Sequence, residues 1–373
     1  MEKNKKKILY MYGEWLNLGG QETFTLNVLD NIKGNITIDL FTPYSSNHEL
    51  IKKSIKKVNG KIYAYNGEFV NDRGNKKDFL KNTEDFLKKN AYKYDIVHIH
   101  SGSSFALARG AKLAKKYGIK KVIVHSHSTG NSNFKSRMVR FIFSFYYKKY
   151  VDFYCACSYD ALFWKFSKRL INEDNHKIIK NGIDVDKFIF NEDIRKKYRK
   201  ELNLDDKFVI VNIARLSQEK NQKFLIDTFN YIHQKDKSAI LLLVGEGPDR
   251  EYLEDRINEL GLNESVILLG MRNDISEILQ ASDLFAFPST FEGLGISAIE
   301  SQATGLITIC SEYIPKEAYI TDLCKLCPLS NGYEAWADEI LKYKNYERKN
   351  MINDVKNSGY GVQNMVDSLK ELY

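Results

Sequence analysis

Short apolar runs alternate with longer amphipathic stretches along the whole chain, and this spacing leaves few folds open. Residues 7–12, 36–41, 61–65, 95–100, 121–125 and 153–157 read as strands, with a further short strand ending in a turn at 177–184. A helical stretch spans 21–32, and another carries Ala106, Ala108, Ala111 and Ala114. The pattern restarts with apolar runs at 208–213, 240–244, 266–269, 284–287 and 307–310, with helices expected over 249–260, 295–303 and 363–372. Near-continuous apolar strands suit a parallel sheet covered on both faces, and parallel neighbours need helical crossovers. The fold class expected is α/β, as two Rossmann-like doubly wound domains. We place the N-terminal domain at 1–185, a charged linker at 186–206 and the C-terminal domain at 207–359. A helix at about 360–373 is expected to pack back on the first domain. No short solenoid period is present.

Length supports the division, because 373 residues exceed one ordinary core. Hydrophobic residues make up 43% and charged residues 28%, which excludes a disordered chain. The net charge of +8 comes from 56 basic against 48 acidic residues, without the basic stripe or module of a nucleic-acid binder. It suits phosphates or an anionic membrane surface. The apolar run at 8–12 is too short for a signal peptide, and no segment reaches the ~20 apolar residues of a span. The expected location is cytoplasmic, with peripheral contact to the inner face of the membrane. Five cysteines argue against a disulfide framework. Cys155 and Cys157 lie in an apolar run and read as core, and one further pair, Cys324 and Cys327, does not make a zinc site.

Three segments of the C-terminal domain carry chemistry. The first runs from Glu292 through Gly293, Leu294, Gly295 and Ile296 to Glu300, after a strand and into a helix. Its glycines allow close backbone approach, the helix start offers N–H groups to a diphosphate, and a carboxylate can grip two ribose hydroxyls. Two turns of spacing let both glutamates point toward one helix end. As a plain strand–loop–helix with two surface glutamates, the same segment would mean nothing. The second holds Arg215 and Lys220 just past a strand, where open α/β sheets bind ligands and where cations can neutralise a departing diphosphate. The third is the turn at Gly245. It serves as readily for connection as for ligand contact.

In the N-terminal domain, Gly19 and Gly20 follow the first strand, a weak signal alone. Of seven histidines, His98 and His100 end one strand, while His125 and His127 lie at the end of another. Strand alternation puts each pair on one face. No carboxylate cluster accompanies them, so a metal is not assigned, and His98 and His125 read as satisfied packing residues. The stretch 134–150 mixes Lys135, Arg137, Arg140, Lys148 and Lys149 with Phe141, Phe143, Phe145, Tyr146 and Tyr147. Such a helix either lies on a membrane or buries one face in the core.

Taken together, these segments resemble the family 4 retaining glycosyltransferases of the GT-B fold, across most of the chain. Glu292 and Glu300 match that family's E-x7-E motif within PSTFEGLG…AIESQATG, and Asn181-Gly-Ile-Asp184 matches the entry to the linker. Arg215 and Lys220 match the basic pair, His127 the active-site histidine, and Gly19-Gly20 the glycine loop. Within the family, the likeness is to bacterial capsule and exopolysaccharide transferases. Two positions depart: Ile307 stands where proline is common, and Ser301 where alanine is usual.

The resemblance implies two domains facing a central cleft and a nucleotide-sugar donor, with UDP as the nucleotide. Arg215 and Lys220 would hold the diphosphate, with backbone N–H groups of Gly295 and Ile296. Glu300 would take the ribose, Glu292 and His127 the sugar, and Arg272 would lie near the base. Gly19, Gly20, Gly245, Gly293 and Leu294 would line the donor. The acceptor would be a glycan or polyprenyl-linked sugar. No cofactor is expected, and metal is expected to be dispensable, since Asp184-Val-Asp186 spells D-x-D only within the linker. A silent partner subunit and a nucleotide-sugar epimerase of the same fold are the alternatives. A dehydrogenase is disfavoured, as no G-x-G-x-x-G follows the first strand.

Overall fold

The structure is a computed structural model. It describes residues 6–14, 20–45, 49–66, 69–70, 73–127 and 134–373, with the backbone alone at 69, 70, 73, 74 and 134–137. The chain divides into two compact units, Met1–Gly182 with Val362–Tyr373, and Ile183–Gly361.

The first unit holds a parallel sheet of β1 (Lys6–Tyr12), β2 (Ile36–Thr42), β3 (Ile62–Ala64), β4 (Ile96–His100), β5 (Lys121–Ser126), β6 (Phe153–Ala156) and β7 (His176–Ile178), in the order β3-β2-β1-β4-β5-β6-β7. A two-stranded hairpin, Phe69–Val70 with Arg73–Gly74, stands apart from it. Helices include α1 (Gly20–Asn31), α2 (Lys76–Asn90), α3 (Ser104–Lys116), α4 (Phe134–Tyr150) and α5 (Tyr159–Lys165). Ser103 and Ser158 start α3 and α5 by accepting backbone N–H bonds from Ala106 and Ala161.

The second unit repeats the plan with β8 (Phe208–Ile213), β9 (Ala239–Val244), β10 (Val266–Gly270), β11 (Leu284–Phe287), β12 (Ile307–Cys310) and β13 (Cys324–Leu326), in the order β10-β9-β8-β11-β12-β13, all parallel. Every residue of β9, β11 and β12 is buried, which is why these segments read as unbroken apolar runs. Its helices include α6 (Glu192–Glu201), α7 (Gln222–Lys235), α8 (Arg250–Glu259), α9 (Ile275–Ala281), α10 (Ile296–Ala303) and α11 (Gly332–Leu341). At α10, Ser301 is buried and its hydroxyl meets the Thr308 hydroxyl at 2.6 Å, so the serine that replaces the usual alanine has a partner on β12.

Residues 186–206, expected as a linker, are instead an integral part of the second unit. Asn191 caps α6 through Asp193 and Ile194, and Arg195 and Arg199 turn inward. Their guanidiniums donate to the carbonyls of Gln280, Ala281 and Ser282 at the end of α9 and to Asp283. Cations at a helix C-terminus satisfy its unpaired carbonyls and its dipole. The last helix, α12 (Val362–Leu372), lies in the first unit, where Met365, Val366, Leu369, Leu372 and Tyr373 join Ile8, Tyr10, Phe24 and Val28 in one core. The Tyr373 hydroxyl bonds both Tyr10 and His98 there.

Candidate active site

In each sheet the order of strands reverses once, and polar groups collect at both reversals. A crevice forms beyond the carboxyl ends of the two strands flanking such a point.

In the second unit the reversal lies between β8 and β11. The chain leaves β8 through Arg215, whose side chain is exposed and has no ion-pair partner among the described residues. Asn221 then takes the left-handed conformation at φ 58°, which asparagine tolerates, and its amide donates to the Pro288 carbonyl past β11. The Thr290 N–H reaches the Glu219 carbonyl at 2.8 Å. These ties bring the Lys220 ammonium onto the Glu292 carboxylate, which also accepts from the Ser289 hydroxyl at 3.3 Å. Glu292 thus sits in the loop before α10 while Glu300 lies on that helix, as the helix expected at 295–303 places them.

Gly295, at φ +80°, turns the chain into α10, and no side chain caps that helix. Its first N–H groups therefore have no side-chain acceptor among the described residues, the condition under which a helix start can take an anion. Glu300 stands in its second turn without a hydrogen-bond or ionic partner among the described residues. Burial pushes its pKa up to about 8. Gly245 has a structural reason of its own: at φ +138° a Cβ would lie 2.0 Å from the Ala214 carbonyl oxygen. Its N–H bonds the Gly270 carbonyl, so the turn bearing Arg272 adjoins it. Arg272 itself is committed to Asp274, with nitrogens 2.8 and 2.5 Å from its carboxylate oxygens.

In the first unit the reversal lies between β1 and β4. Gly19 lies outside the described residues. Gly20 opens α1, and nothing would crowd a Cβ there, so packing does not require it. The reversal is spanned by Glu14, which sequence reasoning missed. It accepts from the Ser101 hydroxyl at 2.7 Å, the Gly102 N–H at 2.9 Å and the Gln21 amide at 3.0 Å. Beside it, buried Lys165 donates to the Gly102 carbonyl, and burial pushes its pKa down to about 8. The available signal for Glu14 was its place at the end of the first strand.

All four histidines of the two strand ends come together. His98 and His100 have ring centroids 4.2 Å apart, as do His125 and His127, and His100 Nδ1 lies 2.9 Å from His127 Nε2. His125 is not the satisfied packing residue expected, since neither ring nitrogen has a partner among the described residues. Ring nitrogens of His98, His100 and His125 lie within 4.8 Å of one another. The His98 and His125 rings stack at 14°, however, and stacked imidazoles do not converge their in-plane lone pairs on one ion. The D-x-D carboxylates pair with different lysines, Asp184 with Lys187 and Asp186 with Lys356. All five cysteines are buried free thiols.

Helix α4 buries part of its surface in the core, as expected of one reading, and leaves another part exposed. Tyr147 is buried and donates to the Ser104 carbonyl, while Phe141, Phe145, Met138 and Ile142 are each at least half exposed. Lys148 and Lys149 are exposed beside them, and the side chains of Lys135 and Arg137 lie outside the described residues.

Paired parallel sheets with polar groups gathered at their reversals define the GT-B class of fold. A solved structure of HepE from Anabaena with UDP and glucose superposes with a TM-score of 0.79 at 19% identity, covering 98% of this chain and 99% of that one. Family models described as Glycosyltransferase Family 4 and Glycosyl transferases group 1 match residues 18–187 and 194–359. The chain belongs to the family 4 glycosyltransferases and is an enzyme of the hexosyltransferase type. It is 26% identical to the Bacillus subtilis protein named as glycosyltransferase EpsF, over 100% of this chain and 97% of that one. It is 29% identical to the UDP-Gal:alpha-D-GlcNAc-diphosphoundecaprenol alpha-1,3-galactosyltransferase of Escherichia coli, over 77% of this chain and 76% of that one.

Proposed function

We propose that this glycosyltransferase moves a sugar from a UDP-sugar to a glycan or lipid-linked acceptor in cell-surface polysaccharide synthesis, with retention at the anomeric carbon. One observation supports the reading: past the ends of β8 and β11, Lys220 meets Glu292 in the loop that leads into α10, a helix whose start no side chain caps among the described residues, and we place Arg215 and Glu300 in the same site. Two cations and a helix N-terminus suit a diphosphate, and a carboxyl without partners suits a pair of ribose hydroxyls. Uridine and the lipid-linked acceptor are supported by the name of the Escherichia coli relative.

In this reading the diphosphate lies over the N–H groups of Gly295 and Ile296, held by Arg215 and Lys220. Gly293 and Leu294 shape the loop, Glu292 adjoins the sugar, and His127 serves its hydroxyls. Gly20, Gly245 and Arg272 line the donor. As the bond from the anomeric carbon to the phosphate oxygen breaks, Arg215, Lys220 and the helix dipole stabilise charge on the leaving diphosphate. The acceptor oxygen attacks the same face and passes its proton to that phosphate. No strong protein base and no metal is needed.

The exposed aromatic face of α4 carries exposed lysines and no acidic residue, which fits an anionic membrane surface and keeps a lipid-linked acceptor at hand. The test is incubation with UDP-sugars and a lipid-linked acceptor, followed by assignment of the product's anomeric configuration. Inversion would refute the retaining step, and absence of UDP-sugar uptake would refute the donor. Release of an epimer from donor alone would favour the epimerase.

A further inference from the structure

One carboxylate reaches both parts of the first unit that the proposed function assigns to the sugar. β1 gives way to Gly13, where a Cβ would lie 2.4 Å from the Ala106 Cβ and 2.5 Å from the Ser101 hydroxyl oxygen, so glycine lets the chain pass against the turn that follows β4. Glu14 comes next. Its Oε1 accepts from the Ser101 hydroxyl and the Gly102 N–H in that turn, and its Oε2 accepts from the Gln21 side-chain amide in the first turn of α1. Gln21 directly follows Gly20. The turn directly follows His100, whose Nδ1 lies 2.9 Å from His127 Nε2, and the Ser101 N–H reaches the His125 carbonyl at 3.3 Å.

The same turn is gripped from its other side. Lys165, at the end of α5, is 1% exposed, and its ammonium donates to the Gly102 carbonyl with the Trp164 ring centroid 4.6 Å away. Gly102 is thus bonded at its N–H by a carboxylate and at its C=O by an ammonium. Burial penalises the charge of Lys165, and Glu14 offsets part of that cost. Replacing such a buried charge by an apolar side chain of like volume is often neutral or stabilising, so fold stability alone gives no reason for an ammonium here. Titratable groups perturbed in this way gather at working sites, and this one lies at the strand-order reversal where open α/β sheets take ligands.

We propose that Glu14 is a positioning residue for sugar transfer: with Lys165 fixing the far side of the turn, it holds the start of α1 and the turn after β4 at one separation across the β1–β4 reversal. It acts through its acceptor oxygens and not as a base. This rests on the reading that Gly20 and His127 meet the transferred sugar, but the positioning is measurable without substrate.

Amide hydrogen exchange of the full chain, read over residues 20–24 and 101–104, measures the positioning. Glu14→Ala should speed exchange in both segments by about tenfold and lower kcat by about 10²-fold. The rate is followed as UDP release from UDP-glucose or UDP-galactose, whichever turns over faster, and UDP affinity should stay unchanged. Glu14→Gln keeps an oxygen for Ser101 and Gly102, and its amide can donate to Gln21 Oε1, a buried atom without a partner among the described residues. It should show wild-type exchange and recover most of the lost rate. Lys165→Met should not lower Tm, yet should speed exchange over 101–104 and lower kcat about tenfold. A lowered Tm with undiminished kcat in that variant would make the lysine merely structural and overturn its part. Exchange in Glu14→Ala as slow as in the wild type overturns the proposal, whatever the rates. A Glu14→Gln as impaired as Glu14→Ala overturns the hydrogen-bonding role. Faster exchange with undiminished kcat overturns the role in transfer and, with it, the reading that Gly20 and His127 meet the sugar. Should Glu14→Ala fail to fold, Gln21→Met, which cuts only the tie to α1, decides by the same two measurements over 20–24.

Discussion

The Lys220 ammonium rests on the Glu292 carboxylate across 72 residues of sequence. Both side chains are largely buried, at 19% and 8% exposure, so neither charge is well solvated without the other. A diphosphate held by Lys220 as proposed would therefore compete with Glu292 for the lysine. Lys220→Met strands the carboxylate, and we expect it to lower the stability of the second unit by about 1–3 kcal/mol. The double variant Lys220→Met with Glu292→Gln should recover much of that stability and none of the activity. Denaturant unfolding alongside a transfer assay checks both, and a double variant as unstable as the single one would refute the coupling.

Arg215 presents the opposite case. It has no ion-pair partner among the described residues, so Arg215→Ala should change stability by no more than about 0.5 kcal/mol. Loss of a charge-assisted contact to a diphosphate should weaken UDP binding roughly 10- to 100-fold. Calorimetric titration with UDP is the measurement, and unchanged affinity would remove Arg215 from the donor site.

Glu300 gives a pH dependence with a defined sign. Its folded-state pKa is raised by burial from 4.5 to about 8. Its favourable contribution to stability is therefore complete below about pH 4.5 and is lost as the pH climbs through about 8. Glu300→Gln should flatten that fall in thermal-shift profiles. Ionised Glu300 is also the better acceptor for ribose hydroxyls, so affinity for UDP-glucose should rise about tenfold between about pH 6.5 and pH 8.5. The rise should vanish in Glu300→Gln.

Helix α4 predicts a lipid preference. The wild-type chain should float with vesicles containing anionic lipid and less with purely zwitterionic ones. Phe141→Ser with Phe145→Ser should abolish flotation while leaving UDP affinity intact, because both rings are already about two-thirds exposed, at 65% and 63%. Flotation indifferent to both changes would exclude this face as the contact.

Transfer should continue in EDTA, because the chemistry assigned to the diphosphate runs through Arg215, Lys220 and the α10 N-terminus. Complete loss, restored by manganese, would contradict this.

Much of the architecture was legible because buried parallel strands are written as unbroken apolar runs, as in 208–213 and 240–244. The supposed linker was misread for the converse reason: Arg195 and Arg199 look solvated in sequence, yet they bond to main-chain carbonyls more than 80 residues away. Glu292 and Glu300 could be recognised by spacing, but not their unlike environments, one paired and one bare. Glu14 was invisible because its partners, Ser101 and Gly102, lie 87 and 88 residues on. Its role exists only once β1 and β4 are neighbours.

The return of α12 to the first unit orders the events of synthesis. A ribosome that has joined residue 182 has made every strand of the first sheet, but not the phenol that bonds Tyr10 and His98. That nascent lobe waits with an open seam along α1 while the entire second unit is translated. Chaperone occupancy on stalled nascent chains should therefore persist until residues 362–373 emerge.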